Sequence, residues 1–181
     1  VVSTPIRVVF VEPVGEEFTQ EEMDQSTLHI LRAMDWWLAL APTPRPLVIS
    51  ETVVMTTTMD IFDTTIDMSN SSVDSIYILD NSSSGRRINN HAYGAMTSMH
   101  QIWVVNGFTA MEPTIAHELG HLIWDLPDWY AEPGKCDAVV DIMCFSDPAY
   151  YNRFIGCFSL ERLRHPCDRI HLPYIQGYPA P

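Results

Sequence analysis

The stretch from residue 115 to residue 123 contains two histidines and one glutamate in a run that is otherwise apolar apart from one glycine. Its length and composition predict a buried helix that has Pro113 in its first turn, where proline is well tolerated, and ends near Trp124. Burying imidazoles and a carboxylate among hydrocarbon side chains is costly unless they are hydrogen-bonded or bind a metal ion. The chain must therefore fold so that this helix packs into a core while its histidines and glutamate form hydrogen bonds or bind a metal ion.

His117 and His121 are four residues apart, so on a helix they project from one face, with Cβ atoms about 5–6 Å apart, and can bind one divalent ion. Glu118 points in a neighbouring direction, where it can take a proton from a water molecule beside the ion without becoming a ligand. This pattern predicts metal-assisted hydrolysis, with two histidine ligands and Glu118 as the general base. A hydrogen-bonded core network without metal is the alternative.

The rest of the sequence predicts a mixed sheet backed by helices, an α/β (α+β) fold. A chain of 181 residues is within the size of one domain and long enough to bury a substantial core. Runs rich in β-branched and aromatic residues predict strands at 6–11, 47–55, 74–79 and 97–105.

A capping box indicates where the first helix begins. Thr19 is followed three residues later by Glu22, and apolar residues then recur at helical spacing until Pro42 ends the pattern. His29 and Trp36 lie off the apolar stripe of this helix. We therefore expect both side chains at the surface or at the boundary of the core.

The charge of the chain limits its partners. The sequence has 23 acidic and 10 basic residues, a formal net charge of −13, which would repel nucleic acid and anionic membranes. No apolar run approaches the roughly 18–20 residues needed to cross a bilayer. We expect a protein or peptide substrate, no nucleic-acid partner, no membrane insertion and a monomer.

The four cysteines indicate whether the protein works in an oxidising or a reducing compartment. Cys136, Cys144, Cys157 and Cys167 form no C-x-x-C pair, so two disulfides are a better interpretation than a four-cysteine zinc site. Three pairings are open, and proximity favours Cys136 with Cys144 and Cys157 with Cys167. Disulfides imply a secreted or extracellular protein, whereas buried free thiols are the alternative. Residues 1–10 lack the features of a signal peptide, so we expect any export signal to lie outside this sequence.

The run 117–130, H-E-L-G-H-L-I-W-D-L-P-D-W-Y, resembles the extended zinc motif of metzincin peptidases. It is most similar to the immune inhibitor A type, H-E-x-x-H-x-x-G-L-P-D-x-Y, and more distantly to snapalysin, in which an aspartate is the third ligand. Asp128 matches that aspartate. Trp124, however, replaces the glycine of the motif, and one additional residue separates His121 from Asp128. Either the helix is one residue longer and turns around residues 125–126, or the third ligand is another acid, Asp125 or Glu161.

The resemblance implies a zinc-dependent endopeptidase with one catalytic Zn²⁺ held by His117, His121 and Asp128. It implies a metzincin-like twisted mixed sheet backed by two long helices in residues 1–124, and a smaller irregular subdomain with a final helix in residues 125–181. The segment 140–143 is similar to the turn that places a methionine, here Met143, beneath the metal. The strand at 97–105 would then be the edge strand that binds an extended peptide.

Two alternatives remain open at this point. One is a zincin outside the metzincins, with Glu161 as third ligand from a later helix. The other is a binding domain without catalysis that uses zinc for structure. Calcium binding is a further open alternative that no motif supports, because the acidic residues at 60–74 lack EF-hand spacing.

Overall fold

The computed structural model describes residues 3–40, 46–58, 73–80, 95–98, 100–105, 111–128, 142–144, 159 and 162–163. The order of the elements is strand, helix, four strands, helix and a short 3-10 helix. We label them β1 (Thr4–Pro13), α1 (Gln20–Leu40), β2 (Leu47–Thr57), β3 (Ser75–Leu79), β4 (Ala95–Ser98), β5 (Gln101–Val105), α2 (Met111–Trp124) and a 3-10 helix (Ile142–Cys144).

The five strands form one mixed sheet in the order β2-β1-β3-β5-β4. Strands β2, β1, β3 and β5 are parallel, and β4 pairs with β5 in the antiparallel direction. The near-continuous β-branched and aromatic run of β1 suits a central strand that is covered on both faces. The expected class, a mixed sheet with helices, is therefore confirmed.

Both helices pack on the same face of the sheet. Alternate residues of β1, namely Ile6, Val8 and Phe10, lie in one core cluster with the apolar side chains of α1 and α2. The intervening residues Val9 and Val11 belong to a second cluster on the opposite face, which also contains Tyr77 and Trp103. The sheet is therefore the platform on which α1 supports α2.

The capping box forms as predicted at the start of α1. The Thr19 backbone N–H donates to Glu22 Oε2 at 2.8 Å, and the Glu22 N–H donates to Thr19 Oγ1 at 3.2 Å. The Thr19 hydrogen bonds also lower the pKa of Glu22. The expectation for Trp36 is wrong, because this side chain is only 7% exposed and packs edge-on against Trp37. The buried surface of α1 therefore extends beyond the stripe of apolar residues that the sequence pattern defined.

The expectation of one strand over 97–105 is also wrong. Ser98 pairs with Gln101, so the chain reverses between them and forms the β4–β5 hairpin. His100 adopts a left-handed backbone conformation with φ 34°. This conformation is common in hairpin turns, where glycine or asparagine normally indicates it in the sequence. Strand β4 is therefore one of the two edge strands of the described sheet, with β2 at the other edge, while β5 lies inside the sheet.

Several expectations fall largely or wholly outside the described residues. They include the acidic stretch at 60–72, most of the C-terminal subdomain and most of its final helix. Cys144 is disulfide-bonded. The other three cysteines are not among the described residues, so the pairing stays a prediction. Among the described helices, none has the length and hydropathy required to cross a bilayer.

Candidate metal centre

The two histidines of α2 lie side by side, as their spacing predicts. Their ring centroids are 4.8 Å apart, and His117 Nε2 is 3.2 Å from His121 Nε2. His117 is almost fully buried, with 7% of its side chain exposed, whereas His121 is 20% exposed. The pair therefore forms the floor of a site that is more accessible on the side of His121.

Backbone carbonyls fix the orientation of both rings. His117 Nδ1 lies 2.7 Å from the Ile142 carbonyl oxygen, and His121 Nδ1 lies 2.6 Å from the Leu126 carbonyl oxygen. Because a carbonyl oxygen can only accept, each Nδ1 must carry the proton and donate. In the neutral rings this leaves the Nε2 lone pairs directed at one another, which is the tautomer a metal ligand needs.

The end of α2 directs the chain back toward the histidines. The helix continues through Trp124, and Asp125 then adopts a left-handed conformation with φ 51°. The Asp125 N–H donates to the His121 carbonyl, and the Leu126 N–H donates to the Gly120 carbonyl, both at 3.1 Å. A left-handed residue commonly ends a helix in this way, and aspartate tolerates the conformation better than most residues. The helix is thus one residue longer than the motif implies, and the turn is shifted with it.

This turn brings Asp128 to the histidine pair. Asp128 Oδ1 is 3.1 Å from His117 Nε2 and 3.1 Å from His121 Nε2. Together with the 3.2 Å between the nitrogens, these distances define a nearly equilateral triangle of donor atoms. Ligands of a tetrahedral zinc ion at about 2.0–2.1 Å are separated by about 3.3 Å. The three donors therefore fit a shared ion.

The hydrogen bonding of Asp128 supports the same interpretation. Its Oδ1 is buried and accepts no hydrogen bond, although both Nε2 atoms are close. A buried carboxylate oxygen without a partner is costly in a folded protein. A cation between the three donors would satisfy it, and Asp128, His117 and His121 are a group whose donor atoms lie within 4.8 Å of one another.

The charges of the site favour a cation. Burial opposes charge on His121, yet Asp128 and the Leu126 carbonyl raise the pKa of this imidazole, with a smaller contribution from Glu118. Burial likewise opposes ionisation of Asp128, but the positive charge that the two imidazoles carry when they are protonated holds the pKa of its carboxyl far below its usual range. Asp128 is therefore ionised at neutral pH and attracts positive charge to the donor triangle.

The alternative third ligands behave differently. The Asp125 side chain is fully exposed, and its Oδ2 lies 3.6 Å from an Arg162 guanidinium nitrogen. Its carboxylate therefore lies in solvent. Glu161 lies outside the described residues. Of the two candidates that the structure describes, only Asp128 joins the histidines.

Met143 packs directly beneath the histidine-bearing turn of α2. It is fully buried in the 3-10 helix whose Ile142 carbonyl accepts from His117. A Cβ built on Gly120 would lie 2.6 Å from Met143 Sδ and 3.2 Å from Trp37 Cζ2. Gly120 therefore allows the side chains on both sides to approach the helix backbone. The sequence offered one signal of this contact, a glycine in a helix interior, where it costs about 1 kcal/mol relative to alanine.

Gly120→Ala is expected to destabilise the protein. The added methyl would clash with Met143 and press on the Trp37 ring, and overpacking of this kind costs about 1–3 kcal/mol. This cost exceeds the roughly 1 kcal/mol that alanine gains over glycine in a helix. Urea unfolding measures the difference, with Gly120→Ala/Met143→Ala and Met143→Ala completing a double-mutant cycle. A Gly120→Ala variant more stable than wild type would contradict the close packing.

The structure thus brings together His117, His121 and Asp128, with Glu118 buried on the same helix at 7% exposure. The carbonyls that orient the rings had no sequence signal, because any residue supplies a carbonyl. No protein-family model matches the chain, and comparison with curated proteins found no match.

Proposed function

We propose that the protein is a zinc-dependent endopeptidase in which His117, His121 and Asp128 hold the metal. The observation that carries the proposal is the triangle of three donor atoms with edges of 3.1–3.2 Å, formed by two oriented imidazoles and a carboxylate oxygen without a hydrogen bond. Two histidines and one carboxylate, with the remaining position left for water or substrate, are the ligand set of catalytic rather than structural zinc sites.

Glu118 would supply the proton transfers of the reaction. When bound, zinc supplies a Lewis acid that polarises the scissile carbonyl and acidifies water. The Glu118 carboxylate takes a proton from the attacking water as the new C–O bond forms. It then gives the proton to the amide nitrogen as the C–N bond breaks, so that a carboxylic acid and an amine are released. Its position next to His117 places it at the ligand-bearing turn without making it a ligand.

The sheet edge offers a place for the substrate. Strand β4 is one of the two outer strands of the described sheet, and it lies on the side where α2 packs against β4 and β5. An extended peptide that pairs with an edge strand is held by backbone hydrogen bonds, so binding would not require a particular sequence. Peptide bonds within a chain, rather than at its ends, suit such an edge.

The finer classification is part of the same proposal. The left-handed residue after α2, the third ligand that follows it and Met143 beneath the histidines support a metzincin-like enzyme, with residues 1–124 and 125–181 as its two subdomains. A secreted protein with disulfides, acting as a monomer on protein or peptide substrates, is consistent with this class.

The proposal is tested by metal content and hydrolysis measured on the same preparation. We expect one zinc per chain by elemental analysis and hydrolysis of casein. A chelator such as 1,10-phenanthroline should remove both, and added zinc should restore both. One zinc per chain without turnover on casein or on a broad peptide library would favour the alternative of a zinc-stabilised binding domain. A metal-free protein that binds no added zinc would exclude both the zinc endopeptidase and the zinc-stabilised binding domain.

A further inference from the structure

Trp37, on α1, contacts the metal-binding helix at three points. The side chain is fully buried, and it touches α2 at Ala116, Gly120 and Trp124. Ala116 immediately precedes His117, and Gly120 immediately precedes His121. Trp124 is the last residue before the turn that leads to Asp128. Each contact therefore lies next to a segment that carries one of the three donor atoms.

The first contact is a hydrogen bond. Trp37 Nε1 donates to the Ala116 carbonyl oxygen at 2.6 Å in the buried interior. A side-chain donor on a helix carbonyl is directional, so it fixes both the rotation of that turn and its position along the helix axis. Apolar packing alone would restrict the rotation and the axial position of the helix less, because dispersion contacts are not directional.

The other two contacts are made by the ring. Trp37 Cζ2 lies 3.2 Å from the position of a Cβ on Gly120, so the indole packs almost on the helix backbone. The ring also stacks on Trp124, with centroids 4.5 Å apart and an angle of 25° between the planes. The stack holds the end of α2, where Asp125 turns the chain.

We infer that Trp37 is a positioning residue of the metal centre, which fixes the rotation of α2 and the place where the helix ends so that the three donors converge. The inference rests on the proposed metal function. A site of this kind requires donors held within about 0.5 Å of their working geometry, and rigid packing behind the ligands provides this. Trp37 itself touches neither the donor atoms nor a substrate.

Trp36 provides a matched control. It is the neighbouring tryptophan on α1, belongs to the same core cluster and is 7% exposed. Its Nε1 is buried but has no hydrogen-bond partner. Trp36→Phe and Trp37→Phe therefore remove the same atoms from adjacent buried positions, but only the second change removes a hydrogen bond to α2.

The experiment compares Trp37→Phe, Trp36→Phe and wild type in three measurements: thermal unfolding of the metal-free protein, zinc affinity by competition with a chromophoric chelator, and the visible absorption spectrum after Co²⁺ substitution. We expect both variants to lose thermal stability. Trp37→Phe should bind zinc about 10-fold more weakly, the lower end of the range for residues that hydrogen-bond directly to metal ligands, because Trp37 acts through the helix backbone. Its cobalt spectrum should shift, whereas Trp36→Phe should match wild type in affinity and spectrum.

Trp37→Tyr is the second variant, since it keeps an aromatic ring and a donor. Its zinc affinity should lie between those of wild type and Trp37→Phe, and it takes the place of Trp37→Phe in the comparison if the latter fails to fold. Equal zinc affinity and identical cobalt spectra for the Trp36 and Trp37 variants would overturn the inference. Failure of wild type to bind zinc or cobalt would instead overturn the proposed function, and the inference with it.

Discussion

Glu118→Gln is expected to abolish nearly all peptide hydrolysis while leaving the bound zinc in place. Glutamine has the size of glutamate but cannot accept a proton at neutral pH, so the general-base step is lost. General acid–base groups contribute about 10²- to 10⁴-fold to rate, and the fall in kcat should lie in this range. Metal content should not change, because the three donors are on other residues.

The measurement is kcat on a fluorogenic peptide together with zinc analysis of the same sample. Glu118→Asp is the companion variant, because it keeps the carboxylate but moves it back by one methylene and should retain more activity than Glu118→Gln. If Glu118→Gln turned over as fast as wild type, Glu118 would not be the base. Loss of zinc from this variant would mean that Glu118 acts as a ligand instead.

Asp128→Ala is expected to weaken zinc binding by more than about 100-fold, because even residues behind the ligands cost 10- to 100-fold in metal affinity. The change removes one vertex of the donor triangle and the charge that raises the pKa of His121. Zinc affinity measured by chelator competition tests this, and hydrolysis should fall in parallel. Asp128→Asn keeps the shape of the side chain without its charge and should lie between Asp128→Ala and wild type.

Asp125→Ala is the matched control for this ligand. Asp125 is also an aspartate in the segment that follows His121, but its side chain is fully exposed and paired with Arg162. We expect Asp125→Ala to keep full zinc affinity, with some loss of stability because alanine is less tolerant of a left-handed backbone. If Asp128→Ala kept its zinc and Glu161→Ala lost it, the site would be that of a different class of zincin.

Much of the sheet and both helices were predictable from local pattern. Apolar runs at strand length, the capping box at Thr19 and the proline in the first turn of α2 are signals carried by neighbouring residues. The strands predicted at 6–11, 47–55 and 74–79 and the two helices formed. The hairpin at His100 was missed because its left-handed residue is a histidine, and the segment has none of the glycine or asparagine residues that normally indicate such a turn. The burial of Trp36 was missed because helical periodicity gives the direction of a side chain but not how much of the helix surface other parts of the protein cover.

The residues of the candidate metal centre were predictable from the sequence, but the residues that position them were not. The spacing of His117 and His121 indicates a shared ion, because helix geometry relates residues four apart. Asp128 was expected near the histidines only because of the resemblance. The additional residue before it left open whether the helix is longer or the third ligand is another acid. The left-handed turn at Asp125 agrees with the longer helix. The Trp37 hydrogen bond to Ala116 joins residues 79 apart in the chain. No local pattern reports such a contact.

All three donor atoms of the proposed zinc site come from the short segment 117–128. An unfolded chain keeps these side chains within reach of one another, so it can chelate zinc weakly as well. Because an ion stabilises a fold only by the difference between its affinities for the folded and unfolded chains, zinc should raise the melting temperature by less than its affinity for the native protein implies. If the protein binds zinc as proposed, a newly made chain would also be able to bind the ion before the β-sheet is complete.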